Sequence, residues 1–319
     1  MADIDYCNAI EAINKEYLQQ HGMHAPLSAE QITGLRIKHV KEAFPFHIFD
    51  LIMQSIRRRN LEKKNSLISD MVKDEDVWYA TGEPEDRYHG IVYCCVTGNY
   101  DRPYNPILIS NGLDYFAFTD NPDAVKGTHW QYKPIQMQEN DSRGNGINRY
   151  YKFHPYELFS GEYDYSIYID GNVQIISDIT CLYEVARKAP FGIAMHRHAS
   201  RRCAYKDIKW CLLNHKGNPD GLEKQRENFL AEGFPEDYGL YEATIIVVDL
   251  HNEKGKKLLN EWWNEFLKSN SGRDQPALPY VIWKNGYKMD MIGSLGNNEY
   301  RNPKFRIFGH ALHEGRGIP

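Results

Sequence analysis

The chain has 319 residues, with 38 Lys and Arg against 43 Asp and Glu, which gives a formal net charge of −5. Hydrophobic residues make up 42% and charged residues 25%, values typical of a folded globular protein and too apolar for a disordered one. The mildly acidic balance argues against a dedicated nucleic-acid-binding protein. The length suits one large domain with an appendage, or two domains.

The sequence has no stretch near the roughly 18 consecutive apolar residues of a membrane span. Its N-terminal residues include acids and lack the apolar core of a secretory signal, so we expect a cytoplasmic protein. The adjacent Cys94 and Cys95 lie in an apolar run, where buried free thiols are expected. A basic run at 57–59 allows peripheral contact with anionic lipid, although a solvated helix end is favoured.

Residues 1–89 are predicted to form an N-terminal helical region. Apolar residues between 9 and 17 keep a helical spacing, and Ser28 to Gln31 has the pattern of a capping box. The pattern changes at residue 90, from which short apolar runs alternate with helical stretches to the end of the chain. Residues 90–319 are therefore predicted to form one domain of catalytic size.

Alternating strands and helices predict an α/β fold, with a mainly parallel, Rossmann-type sheet flanked by helices. The predicted strands are Gly90–Val96, Tyr115–Phe118, Tyr165–Ile169, Phe191–Ala194 and Ala243–Val248, and the predicted helices are Tyr104–Leu113, Asn148–Phe159, Leu182–Lys188, Leu222–Glu232, Lys254–Lys268 and Ala277–Trp283.

Three predicted strands end in polar residues, at 97–101, 119–121 and 170–172. Ligands in open α/β sheets bind beyond the carboxyl ends of the strands, so these endings are candidates for a site. Each ending also fits an ordinary turn, because Asn, Asp and Gly are the commonest turn residues. The occurrence of three such endings favours the site.

Asp170 and Asn172 are the sharpest candidates. Residues two apart in an extended segment point the same way, so both side chains can reach one ion. Carboxylate and amide oxygens are hard ligands suited to Mg²⁺ or Mn²⁺. His310 and His313, near the C-terminus, are further candidate ligands, although the spacings of a structural zinc site are absent from the sequence.

Arg149 and Lys152 lie three residues apart, on one face of a predicted helix, where they suit a pyrophosphate. The alternative is an exposed cationic face. Asp274 fits either a helix N-cap or a carboxylate that faces a sugar acceptor. Glu242 has a similar ambiguity, between a salt bridge at the edge of the core and an acceptor contact.

Six segments of the sequence, in the order in which they occur, resemble a glycosyltransferase-like family that was formerly described as a domain of unknown function. Members of this family occur among plant Golgi proteins and in bacterial polysaccharide clusters. The resemblance spans about residues 90–290 and extends, more distantly, to glycogenin-type transferases of the GT-A fold. The segments are VTGNYD, YFAFTDN, NRYYKFHPYELF, YSIYIDGN, MHRHASRRCAYKD and GRDQPALPYVIW.

The resemblance implies a GT-A-like domain that uses a nucleotide-sugar donor. Asp170 and Asn172 match the position of the metal and diphosphate, and Asn172 replaces a second acid found in many relatives, which should weaken metal binding. The other implied assignments are Arg149 and Lys152 at the diphosphate, Thr97, Asn99, Tyr100 and Asp120 around base and ribose, Asp274 and Gln275 near donor sugar and acceptor, and His310 or His313 as a late metal ligand.

We therefore expect a glycosyltransferase, assisted by Mn²⁺ or Mg²⁺, that moves a sugar from a nucleotide sugar, with a UDP-sugar as the first candidate, to a glycan or polysaccharide acceptor. An inverting reaction needs a carboxylate base, for which Asp274 and Glu242 are candidates. One alternative is a catalytically inactive homologue that binds nucleotide or glycan. A phosphatase with Asp170 as its nucleophile is a weaker alternative, because Asn172 cannot serve as its acid.

Overall fold

A computed structural model describes residues 88–135, 144–159 and 161–308, together with seven residues between 52 and 64. The chain divides into two compact units, one of residues 1–67 with residue 319 and the other of residues 68–318. In the first unit, the seven described residues are helical, and the rest of the predicted N-terminal helical region up to residue 87 lies outside the described residues. The second unit contains the sheet.

The second unit is built on a seven-stranded sheet in the order β3-β2-β1-β4-β7-β6-β8. Six strands point the same way, and β7 alone is antiparallel to its neighbours β4 and β6. The mixed, mainly parallel sheet confirms the predicted α/β class. The strands are β1 (Gly90–Val96), β2 (Leu113–Thr119), β3 (Gln131–Pro134), β4 (Tyr165–Ile169), β6 (Ile193–Arg197), β7 (Tyr241–Asp249) and β8 (Gly293–Ser294), and β5 (Val173–Ile175) pairs separately with β9 (Phe305–Ile307).

Helices cover both faces of the sheet and give it two hydrophobic cores. One core lies between the sheet and α3, and the other lies between the sheet and the remaining α-helices of this unit. The helices are α1 (Gly144–Phe153), α2 (Pro155–Phe159), α3 (Leu182–Lys188), α4 (Ala204–Leu213), α5 (Pro219–Ala231), α6 (Glu253–Ser269) and α7 (Ala277–Lys284).

The continuous apolar sequence of β1 follows from this layering, since every residue of the strand is buried. Successive side chains of a strand point to opposite faces, so Tyr93 and Cys95 enter one core while Val92 and Cys94 enter the other. Cys94 and Cys95 are free and buried, as predicted.

Two helix predictions need correction. The segment predicted as a helix at Tyr104–Leu113 is irregular, and the amide of Ile107 within it donates to the carbonyl of Ile175 at 2.8 Å. Pro103 and Pro106, which lack an amide hydrogen, favour this arrangement over a helix. The helix predicted at Asn148–Phe159 is two helices, α1 and α2, because the residue before Pro155 is disfavoured from the helical conformation.

The direction of β7 decides which residues meet at the carboxyl edge of the sheet. Because β7 is antiparallel, its first residues lie where β4 ends, and the amide of Asp170 donates to the carbonyl of Thr244 at 2.9 Å. The register between β6 and β7 shifts after Met195, so that His196 pairs with Glu242. Residues at the start of β7 therefore face the same edge as the ends of β1 and β4.

Among the described residues, no helix combines the length and apolar character that crossing a membrane requires.

Gly255 in α6 offers a test of the packing of α6 against α2 and the segment that precedes β6. A Cβ at this position would lie 2.2 Å from the carbonyl oxygen of Phe191 and 2.5 Å from the hydroxyl of Tyr156. We expect Gly255→Ala to lower the free energy of unfolding by about 1–3 kcal/mol, although alanine normally stabilises a helix interior by roughly 1 kcal/mol relative to glycine.

Urea denaturation measures this change, with Lys256→Ala as the control because Lys256 is exposed on the same helix. The control should change stability by about 0.5 kcal/mol or less. A stabilised Gly255→Ala protein would contradict the close packing.

Candidate functional site

A cleft of about 990 Å³ lies at the carboxyl edge of β1 and β4, beside the start of β7. It brings together residues that are far apart in the chain. The predicted site residues that line it are Thr97, Tyr100, Arg149, Lys152, Asp170, Glu242, Asp274 and Gln275; Asn99, Asp120 and Asn172 do not line it, and His310 and His313 lie outside the described residues.

Lys152 is a deeply buried cation of the cleft, with 3% of its side chain exposed. Its Nζ lies 3.2 Å from an oxygen of Asp274 and 3.5 Å from an oxygen of Asp170. It also lies 5.0 Å from the centre of the Tyr168 ring. The alternative of an exposed cationic face is therefore wrong for Lys152, whose charge points into the cleft between two carboxylates.

Several hydrogen bonds and ion pairs fix the position of Asp274. Its carboxylate accepts a hydrogen bond from Lys152 and lies 3.6 Å from Nε of Arg149, and its carbonyl accepts from the indole of Trp262 at 2.8 Å. Burial alone would raise the pKa of Asp274, but the charges of Lys152, Arg149 and Arg273 outweigh it and hold this pKa far below its ordinary value. Asp274 is therefore an ionised anion that organises the neighbouring cations.

The side chain of Asp274 does not cap α7, so the N-cap interpretation is wrong. The residue that precedes α7 is Pro276, without a side-chain cap. The carboxylate instead accepts from the amide of Gln275 at 3.1 Å and faces Lys152.

Asp170 ends β4 and faces the cleft with 29% of its side chain exposed. The hydroxyl of Tyr168 donates to its Oδ1 at 2.9 Å. A Cβ on the next residue, Gly171, would lie 2.5 Å from the side chain of Val96 and 3.0 Å from that of Asp101. Glycine is needed here because the loop that follows β1 packs directly against the loop that follows β4.

Asn172 is buried beside the cleft rather than in its lining. Its Nδ2 donates to the carbonyl of Phe308 at 2.7 Å, and its Oδ1 is buried and has no hydrogen-bond partner within the described part of the chain. The described residues include no group of three or more His, Cys, Asp or Glu side chains arranged to hold a metal ion. Asp170 and the unpaired oxygen of Asn172 are two oxygen donors near this edge.

Asn99 and Asp120 shape the loop after β1. Asp120 accepts a hydrogen bond from the amide of Gly98 at 2.8 Å, and Asn99 accepts from the side chain of Asn121 at 2.8 Å. Asn99 has φ of 51°, a left-handed conformation that asparagine tolerates better than most residues. This loop carries Thr97, which lines the cleft.

Glu242 is buried and hydrogen-bonded at the start of β7. Its carboxylate accepts from Nε2 of Gln275 at 2.5 Å and lies 3.1 Å from Nε2 of His198. Burial, partly offset by the charge of Arg201, raises the pKa of Glu242 to about 7. Glu242 is therefore placed to take up or release a proton near neutral pH.

Glu299 is a further buried carboxyl group of the cleft and was not predicted from the sequence. It accepts from the hydroxyl of Thr244 at 3.3 Å. Burial and the neighbouring charge of Glu242 raise the pKa of Glu299 well above its ordinary value. It lies in a short 3-10 turn at Glu299–Arg301, so no periodic pattern marked it.

Helix α4 and the loop that follows it, which form one wall of the cleft, were also not predicted from the sequence. The signal was present, since Ile208 and Cys211 are three residues apart and both enter the core. Trp210, Asn214, His215, Lys216 and Gly217 of this region line the cleft.

Residues 138–308 match the profile of the family described as TOD1/MUCI70, glycosyltransferase-like domain. The match covers more than half of the chain and includes α1, β4, β7 and α7. The chain belongs to this family, as the resemblance found in the sequence predicted. No curated protein has a significantly similar sequence.

Solved glycosyltransferases share low similarity with this chain. The mannosyltransferase Ktr4p from S. cerevisiae is 10% identical, with a TM-score of 0.35, over 70% of this chain and 75% of that one. The bifunctional glycosyltransferase WbbM is 14% identical, with a TM-score of 0.37, over 63% of this chain and 38% of that one.

The buried ion pairs of Asp274 generate a prediction about stability. Asp274→Asn removes the charge that compensates Lys152, so we expect unfolding to become easier by about 3–5 kcal/mol, the usual cost of leaving one partner of a buried pair uncompensated. Chemical denaturation at neutral pH measures the change.

Glu223→Gln is the matched control, because Glu223 pairs with Arg226 at a shorter distance, 2.8 Å, with about half of its side chain exposed. Exposed pairs contribute about 1 kcal/mol or less. If the two substitutions lower the free energy of unfolding equally, burial rather than distance does not explain the contribution of the Asp274 pairs to stability.

Proposed function

We propose that this protein transfers a sugar from a nucleotide-sugar donor, with a UDP-sugar as the first candidate, to a glycan or polysaccharide acceptor. Membership of the glycosyltransferase-like family supports a glycosyltransferase. The observation that supports the donor assignment is the pair of cations Lys152 and Arg149, which line the cleft together with Asp170. We also propose a GT-A type of fold and a cytoplasmic site of action.

The diphosphate of the donor would bind beside Lys152 and Arg149. Both cations line the cleft, and 19% of the Arg149 side chain is exposed. When the bond between sugar and phosphate breaks, negative charge builds on the leaving diphosphate. Cations fixed in advance in a cleft stabilise that charge without reorganisation, which lowers the barrier. Thr97 and Tyr100, on the loop after β1, would then lie near the base and ribose.

A divalent cation, Mn²⁺ or Mg²⁺, fits this site through few protein ligands. Asp170 would bind it directly, and the unpaired Oδ1 of Asn172 would supply a second oxygen. His310 or His313 would complete the set, and Phe308, which is hydrogen-bonded to Asn172, precedes His310 by two residues. The cation would add positive charge next to the leaving diphosphate. Because the Asp170 carboxylate already lies close to Lys152, the divalent cation should bind weakly.

Glu242 is the better candidate for the base that an inverting reaction needs. Asp274 is fixed by two cations and its low pKa makes it a poor proton acceptor, whereas the pKa of Glu242, about 7, suits proton transfer near neutrality. Glu242 would take the proton of the acceptor hydroxyl as that oxygen attacks the anomeric carbon. Its hydrogen bond from Gln275 fixes the orientation of the carboxylate.

A thermal-shift panel of nucleoside diphosphates and nucleotide sugars, with and without Mn²⁺, tests the donor assignment. Ligand at about 100 times its Kd adds about 2.7 kcal/mol to the free energy of unfolding, which is visible as a raised Tm. We expect one nucleotide to raise the Tm of the wild type, and Asp170→Ala to remove any part of the shift that depends on Mn²⁺. The same variant should remain folded and lose sugar transfer.

No shift with any nucleotide would contradict the proposal, and wild-type transfer by Asp170→Ala would contradict the metal role. A shift without transfer or hydrolysis of any donor would favour the inactive, nucleotide-binding homologue.

The pH dependence of transfer tests the role of Glu242. Glu242 accepts a proton only when ionised, so kcat/KM should rise as pH increases towards about 7 and then level off. Glu242→Gln should lower kcat by a factor on the order of 10² to 10⁴ and abolish the rising limb. Glu227→Gln, on an exposed surface outside the cleft, is the control. A rising limb retained by Glu242→Gln would assign the base to another group.

A further inference from the structure

The wall of the cleft formed by α4 and its following loop has no part in the proposed donor site. Arg201, Trp210, Lys216 and Arg273 line the cleft on this side, and we call these four residues the Trp210 wall. Three of the four are cations, although the chain as a whole has a formal net charge of −5.

Aromatic stacking holds two of the cations in place. The guanidinium of Arg201 lies 4.3 Å from the centre of the Trp210 ring, and Nζ of Lys216 lies 5.0 Å from it. Both distances are within the range of cation–π attraction. Arg201 is also fixed from behind, because its Nε donates to the buried carboxylate of Asp207 at 2.8 Å.

Close backbone packing brings Lys216 and Arg273 to the same wall. Gly217, with φ of 86°, follows Lys216, and a Cβ there would lie 2.5 Å from the carbonyl of Ser271 and 2.9 Å from Cγ of Arg273. The amide of Asn218 donates to the carbonyl of Ser271 at 2.8 Å. The two loops are therefore fixed against each other, and the wall is part of the folded framework.

Carboxylates neutralise part of the positive charge at this wall, because Asp207 pairs with Arg201 and the charges of Asp274 and Asp207 act on Arg273. Asp207 is fully buried, pairs with Arg201 and does not line the cleft. Nε of Arg273 is buried and forms no hydrogen bond within the described part of the chain. Burial, together with the charge of Arg273, lowers the pKa of Lys216. Nη2 of Arg273 donates to Oε1 of Gln275 at 2.9 Å, and an anion near Lys216 and Arg273 would relieve the repulsion between these two cations.

We propose that the Trp210 wall binds an anionic saccharide, whose carboxylate or phosphate group lies between Lys216 and Arg273, as the acceptor of sugar transfer. This inference rests on the proposed function, because it assigns the acceptor of the same cleft. A hexuronic acid and a sugar phosphate share the required chemistry, an anionic oxygen group attached to a sugar ring.

Titration with glucuronate, glucose 6-phosphate and glucose tests the proposal without any need for turnover. The indole N–H resonance of Trp210, assigned by its loss in Trp210→Phe, reports binding at the wall. We expect at least one of the two acidic sugars to shift this resonance to saturation, more weakly at high salt, and glucose to leave it unchanged at the same concentrations. A response to glucuronate alone assigns a carboxylate, and a response to glucose 6-phosphate alone assigns a phosphate.

Charge variants provide the second measurement. Lys216→Met should weaken binding of the acidic sugar about fivefold, as loss of an exposed ion pair does, and Lys216→Glu should weaken it further. Lys209→Met is the matched control, since Lys209 is exposed on α4, the helix that precedes Lys216, and does not line the cleft. It should bind as the wild type does.

Three results would overturn the proposal: no response to either acidic sugar, equal responses to glucose and the acidic sugars, or unchanged binding in Lys216→Glu. Loss of the nucleotide-induced rise in Tm in Lys216→Met would assign the wall to the donor and would also overturn it. A wild type that binds an acidic sugar but no nucleotide would refute the proposed function and leave the Trp210 wall as a saccharide site.

Discussion

The cleft depends on one buried charge, the ammonium group of Lys152. Removing a charged group from water costs free energy unless neighbouring opposite charges compensate it. The compensation comes from Asp274 and Asp170, which are about a hundred residues apart in the chain and belong to different elements. The same ion pairs keep Asp274 ionised and bring Arg149 to the same place. The same buried ion pairs therefore contribute to the stability of the protein and place positive charge at the proposed diphosphate site.

A second constraint is the reversed direction of β7. If β7 were parallel to its neighbours, its first residues would lie at the opposite edge of the sheet, far from Asp170. Because β7 is antiparallel, Glu242 and Thr244 lie at the carboxyl edge of the sheet. Thr244 in turn contacts Glu299. The protein thus places an ionised, cation-bound carboxylate and a carboxyl group with a pKa near 7 in one cleft. Asp274 is therefore suited to organising the neighbouring cations, and Glu242 is suited to proton transfer.

Local sequence patterns predicted the parts of the fold that are decided locally. The apolar run of β1 and the helical spacing of α3 are examples, and both elements have the predicted bounds. Asp170 and Lys152 were also predicted, because strand ends and helix faces are visible in a single sequence. Glu299 and the orientation of Asn172 were not, since each depends on contacts with residues more than fifty positions away. The irregular segment after residue 103 was mistaken for a helix because its hydrogen bond to β5 is equally remote.

The proposed function depends most directly on the binding of a nucleotide-sugar diphosphate by Lys152 and Arg149. The most direct measurement is a crystal structure of the protein with UDP and Mn²⁺. If this binding occurs, oxygens of the diphosphate will lie within about 3 Å of Nζ of Lys152 and of the Arg149 guanidinium. A diphosphate bound at the Trp210 wall, or away from the carboxyl ends of β1 and β4, would contradict it.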